Sequence, residues 1–105
     1  MRRLLIREPR NVVHVSAVTL WEIAIKRSLG KLQAPADING LIEDEGFLPL
    51  AISLFHGERA GDLPLLRRDP FDRMLVAQAQ AEGLDVITAD TWFGQYGVRT
   101  INARQ

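Results

Sequence analysis

Three acidic residues could together support a metal-assisted hydrolysis: Glu22, Asp72 and Asp90, with Asp69 three positions before Asp72. Carboxylate oxygens are the ligands that hard divalent ions such as Mg²⁺ and Mn²⁺ prefer, alongside water and substrate phosphates. Ions held in this way activate water and stabilise the leaving oxygen of a phosphodiester. The chain has no cysteine, which removes thiolate ligands, thiol nucleophiles and disulfides together, so any metal must sit on oxygen or imidazole. The two histidines contribute little. His14 falls within an apolar stretch and reads as a satisfied core residue, and His56 reads as surface. There is no nucleophile triad and no glycine-rich phosphate loop.

Each acid also has a purely local explanation. Thr19-Leu20-Trp21-Glu22 matches a capping box, in which the glutamate bonds back to the amide of the cap residue. Asp69-Pro70-Phe71-Asp72 puts two acids at a helix start, where the dipole favours negative charge, and Asp69 reads as a cap more than as a ligand. Asp90 can cap the turn that carries Trp92 and Phe93. A functional reading therefore depends on whether the fold brings the acids together.

The elements that must do so follow from periodicity. Residues 11–18 are β-branched and largely apolar, as in a strand buried on both faces. Residues 19–29 then read as a helix with two apolar stripes, Leu20/Ile23/Ala24 and Trp21/Ile25/Leu29, closed by Gly30 and buried on two sides. Asp37 caps a second helix that ends near Gly46, Phe47–Leu50 is extended, and Ser53 caps a third helix. The best-marked helix has Asp69 as its cap, Pro70 in its first turn and Gly83 as its terminator. Residues 85–89 read as a strand, 90–93 as a short helical turn and 98–101 as a final strand. Strands alternating with helices imply an α/β domain with a mainly parallel sheet.

In such a sheet, functional groups gather at the carboxyl edge of the strands. Glu22, in the first turn of the helix after strand 11–18, Asp72, at the start of the helix leading into strand 85–89, and Asp90, directly after that strand, all fall at this edge. Clustered carboxylates repel one another and need a compensating cation, for which Mg²⁺ or Mn²⁺ is the natural choice. Ser16 and Thr88 lie near the same strand ends and could hold water or phosphate, although hydroxyls there more often serve local turns. Thirteen basic residues balance thirteen acidic ones, so a nucleic acid would have to be met by local patches. Two are present, Arg67/Arg68/Arg73 and Lys26/Arg27/Lys31, and solvated surface charge explains either alone. At 105 residues and 47% hydrophobic, the chain is read as one domain, residues 1–105. With no apolar run long enough for a membrane span, the expected location is cytoplasmic.

The segment Val15-Ser16-Ala17-Val18-Thr19-Leu20-Trp21-Glu22-Ile23-Ala24-Ile25-Lys26, followed by Gly30-Lys31-Leu32, resembles the first acidic motif of VapC-like PIN-domain toxins. Arg68-Asp69-Pro70-Phe71-Asp72-Arg73-Met74-Leu75-Val76-Ala77-Gln78-Ala79, then Val86-Ile87-Thr88-Ala89-Asp90 and Tyr96-Gly97-Val98, resembles the C-terminal half of the same family. The resemblance implies a PIN-like three-layer domain and a metal-dependent endoribonuclease, the toxin of a type II toxin–antitoxin pair, with RNA as substrate and an antitoxin as partner. Glu22, Asp72 and Asp90 map onto its metal-site acids, with Asp69 as a neighbour and Arg68 and Arg73 available to phosphate. One departure stands out. The family opens with a central strand ending in Asp, and no counterpart to that strand or its acid is found. Residues 1–10 resemble the tail of the following helix, and Glu8 is their sole acid.

Two rivals belong to other classes. If the central strand is missing, strands 11–18 and 85–89 each expose an edge, and the chain becomes an inactive module that binds an antitoxin or pairs as a homodimer. A phosphoacceptor receiver domain also gathers acids at a sheet edge, but strand 11–18 ends without the paired acids it needs. Two further expectations follow. Asp72→Asn is expected to disturb the fold less than Phe71→Ala. With three acids instead of four, calorimetric titration should show Mg²⁺ or Mn²⁺ binding no tighter than roughly millimolar, about 4 kcal/mol; micromolar binding lost on Asp90→Asn would mean a more complete site.

Overall fold

The computed structural model describes residues 3–8 and 10–102. Five strands form one sheet in the order β3-β2-β1-β4-β5, with β1 Leu4–Arg7, β2 Val12–Ser16, β3 Leu48–Leu50, β4 Asp85–Thr88 and β5 Thr100–Asn102. Four helices connect them: α1 Ala17–Ser28, α2 Ile38–Asp44, α3 Leu54–Asp62 and α4 Pro70–Glu82. A short 3₁₀ turn, Trp92–Tyr96, links β4 to β5. The pairs β2–β3 and β4–β5 are parallel, and β1 runs antiparallel to both β2 and β4. Four strands therefore share one direction, and the α/β architecture with a mainly parallel sheet holds.

The position expected to be empty is filled. Residues 4–7 are not a helical tail but the central strand, and they reach it by a tight reversal in which Asn11 takes the left-handed conformation (φ 55°). The apolar run Leu4-Leu5-Ile6 explains the outcome, because its side chains feed both faces of the sheet. Leu5 is fully buried in the cluster with Leu75, Val76, Val86 and Phe93, whereas Leu4 packs against the cluster of Val15, Ile38 and Ile42 on the opposite face. Alternate residues of a strand point to opposite faces, so one strand joins both cores. The edges of β2 and β4 that would have invited self-pairing are covered by β1, and the sheet ends instead at β3 and β5.

The local signals fare unevenly. Asp37 caps α2 by accepting from the Gly40 amide (2.9 Å), Ser53 caps α3, and Gly83 closes α4 in the left-handed conformation (φ 65°). Helix α1 begins earlier than expected. Ser16 is its cap, accepting from the Val18 amide at 3.1 Å, so Thr19 lies inside the helix and the capping box with Glu22 does not form. The two apolar stripes of α1 are covered unequally: Leu20 and Ile23 pack on the second core, while in the other stripe Ile25 is half-buried and Trp21 and Leu29 are more than half exposed.

Both histidines depart from expectation. His56 is buried; its Nδ1 accepts from the Ser53 amide (3.0 Å) and its Nε2 faces Glu82 (3.0 Å), which ties α3 to α4. His14, opposite Leu5 and Leu48 in the sheet, has both ring nitrogens shielded from solvent without a hydrogen-bond partner among the described residues. Burial, helped by the charge of Arg7 and opposed by Glu82, lowers its pKa. The unfolded chain protonates this residue near pH 6.5 and the folded chain only at lower pH, so stability is full above that value and falls as pH drops toward the folded pKa. His14→Leu should flatten the loss of thermal stability between neutral and mildly acidic pH; an unchanged slope would place the proton uptake elsewhere.

Candidate active site

The site forms where β2 and β4 end. Continuing the β1 register beyond Leu4 sets Arg3 level with Ser16 on one side and Thr88 on the other, at the carboxyl edge of both neighbours. Because side chains alternate, Arg3 shares the face of Leu5, toward α4. There its guanidinium bridges two carboxylates, one nitrogen on Asp72 Oδ1 and the other on Asp90 Oδ2 at 2.9 Å. Arg67 donates to the second oxygen of Asp72 at 3.2 Å, and its guanidinium carbon lies 4.2 Å from the centroid of the Trp92 ring, a cation–π distance. Trp92 stacks on Phe93 at 3.9 Å, and Arg3 lies within 6 Å of both rings. Burial alone would pull the Arg3 pKa down, but hydrogen bonds and charge from Asp90 and Asp72 outweigh it and leave it raised.

The acids thus occupy different environments. Asp72 is buried, in the first turn of α4, with both carboxylate oxygens engaged. Asp90 follows β4, and its side chain is 46% exposed. It does not cap the turn after it, where Thr91 occupies the cap position. Glu22 lies in the second turn of α1 rather than the first, and pairs with Lys26 at 3.7 Å. Glu22, Asp90 and Arg3 line one cleft of 530 Å³, together with Thr19, Lys26 and Lys31. Thr19 is 5% exposed, and its hydroxyl has no partner among the described residues, so it is a polar group available to an occupant of the cleft.

All the secondary candidates except Arg68 make contacts within the scaffold. Ser16 caps α1 and donates to Gln78 Oε1 in the core, and Thr88 Oγ1 accepts from the Asp90 amide at 3.1 Å, so both hydroxyls hold local structure. Asp69 is the cap of α4, accepting from the amides of Phe71 (2.8 Å) and Asp72 (3.3 Å). Arg73, expected to face phosphate, points inward and donates to the carbonyls of Ala60, Leu63, Pro64 and Arg67 at 2.9–3.2 Å. This clamp fixes the loop that presents Arg67. Arg68 remains exposed and makes no ion pair among the described residues.

The residue that sequence reasoning missed is Arg3. The signal was the basic residue before Leu4-Leu5-Ile6, which gains meaning only when that run becomes an antiparallel central strand. Arg3 also decides how the donor set suits a divalent ion. Asp72 presents no free oxygen while Arg3 and Arg67 hold it, and among the described residues no three His, Cys, Asp or Glu side chains gather closely enough to hold a metal. As arranged, the acids do not fit such an ion.

The PIN domain family model matches residues 1–98 of the chain. No curated protein matches it.

The expected ranking of Asp72→Asn and Phe71→Ala reverses on this geometry. Phe71 is only partly buried, edge-on to Trp21 at 5.0 Å, so its truncation should cost less than the ~3 to 5 kcal/mol of a fully buried ring. Asp72→Asn removes the charge that two guanidinium groups share and should cost about 3 kcal/mol, as when one partner of a buried pair is lost. Urea unfolding of the two variants checks this, and an unshifted midpoint for Asp72→Asn would show that the pair contributes nothing.

Proposed function

The chain belongs to the PIN domain family, whose members are generally nucleases, and from that membership we propose that it is a cytoplasmic metal-dependent endoribonuclease, the toxin of a toxin–antitoxin pair. One observation carries the reading: Asp72 and Asp90, eighteen positions apart in sequence, meet at the sheet edge and share a single cation, with Glu22 on the same cleft as Asp90. Helix caps have no reason to meet at one place, whereas acids that serve one phosphodiester do. The cleft is of a size for a nucleotide segment, with Lys26 and Lys31 on its wall to meet phosphate. Thr19 offers a hydrogen bond within it, and Arg68, exposed and next in sequence to Arg67, is the remaining basic candidate. The divalent ion typical of the family, Mg²⁺ or Mn²⁺, would supply water activation and charge neutralisation. Its place is contested by Arg3.

The alternative is a domain that does not cleave RNA but binds an antitoxin or a second copy of itself. The bridging of the acids by Arg3 favours it, and so does apolar surface: Leu54, Phe55, Leu65 and Leu66 are more than half exposed along the start of α3 and the loop before α4. No helix among the described residues is long and apolar enough to cross a membrane.

Cleavage separates the two readings. Purified protein with mixed single-stranded RNA in excess Mn²⁺ is expected to cut slowly, with products lost on adding EDTA and in Asp90→Asn. Cleavage that survives both treatments, or its absence even in Arg3→Gln, would leave the binding module as the better account.

A further inference from the structure

We propose that Arg3 is the built-in counter-ion of this site, holding the charge position that a divalent cation needs, so that the acid pair accepts metal only when Arg3 swings away. The inference goes beyond the nuclease reading, because it concerns which cation the pair holds and not what the pair does with it.

The case is one of charge and placement. Asp72 is buried and Asp90 half-buried, and two carboxylates held side by side need positive charge near them. Arg3 provides it with one nitrogen to each carboxylate, which only a planar fork can do. Its side chain is 17% exposed, so the Asp72 half of the pairing is shielded from bulk solvent while the Asp90 half stays open to it. Arg67 completes the balance on Asp72, and Lys26 attends to Glu22. A guanidinium has no lone pair to offer a metal, so the same oxygens cannot serve both cations at once. Arg3 also lies just before β1 begins, outside the paired register, so its side chain can leave without breaking a ladder hydrogen bond. The contact is thus self-inhibitory in form: it neutralises the site, and it comes from a residue outside the paired strand.

Mn²⁺ titration followed by electron paramagnetic resonance tests this on the full chain. Arg3→Gln should bind Mn²⁺ at least tenfold more tightly than the wild type, and the gain should vanish in Arg3→Gln/Asp90→Asn. Added Mn²⁺ should raise the melting temperature of Arg3→Gln but not of the wild type. Should Arg3→Gln not fold, Arg3→Met retains an unbranched stem against Phe93 and Trp92 and answers the same question. Equal affinity in wild type and variant, lost on Asp90→Asn, overturns the proposal while leaving the nuclease reading intact, as does micromolar binding by the wild type alone. A variant that binds Mn²⁺ through Asp90 yet cuts no RNA upholds the proposal and sinks the nuclease reading. No binding by any variant overturns it too, since Arg3 would then be holding nothing out.

Discussion

Two carboxylates at the end of a mainly parallel sheet cannot both stay ionised side by side without a cation, and the way this chain meets that constraint organises much of its structure. The cation comes from the strand between them. Because β1 runs against both β2 and β4, it is the start of the strand and not its end that lies at their carboxyl ends, and the start carries the charge. The reversed central strand and the bridging arginine are therefore two aspects of one solution. Asp72 can be buried because both of its oxygens are occupied, one by Arg3 and the other by Arg67.

A second layer of polar contacts keeps this arrangement in place. Arg73 has turned away from the site to gather the carbonyls of the loop before α4, and the Arg67 that the loop presents lies on Trp92 while reaching Asp72. Behind the sheet edge, Ser16, Gln78 and His56 form a buried chain of hydrogen bonds from α1 through α4 to α3. Burying such groups is tolerable only when they are satisfied, and here nearly all of them are. The exceptions among the described residues are His14, with two ring nitrogens and no partner, and the Thr19 hydroxyl in the cleft.

How much of this could be read in the sequence depends on how local the information is. Caps and terminators are short-range, and Asp37, Ser53, Asp69 and Gly83 behave as their residue types predict. The periodicity of α4 and β4 also survives folding intact, and with it the placement of Asp72 and Asp90 at one edge. Competition between neighbouring caps is less legible: Ser16 and Thr19 can both start a helix, and the strand's end decides for Ser16, which moves Glu22 by nearly a turn. Least legible is anything set by distant pairing. Nothing in Leu4-Leu5-Ile6 alone says that it fills the centre of a sheet, and the fate of Arg3, His56 and Arg73 is fixed by partners up to 87 positions away.

The reversal between Arg7 and Val12, with Asn11 in its left-handed conformation, sets the length of the connection and hence the register of β1 against β2. In a strand, a shift by one residue exchanges the two faces entirely. One residue gained or lost in this turn would send Leu5 toward α2 and carry the side chain at position 3 to the far side of the sheet, leaving Asp72 and Asp90 without it. The electrical state of the site is therefore written in the length of a surface turn on the opposite side of the molecule, and an insertion there would act on the chemistry as a change of charge without altering a single ionisable residue.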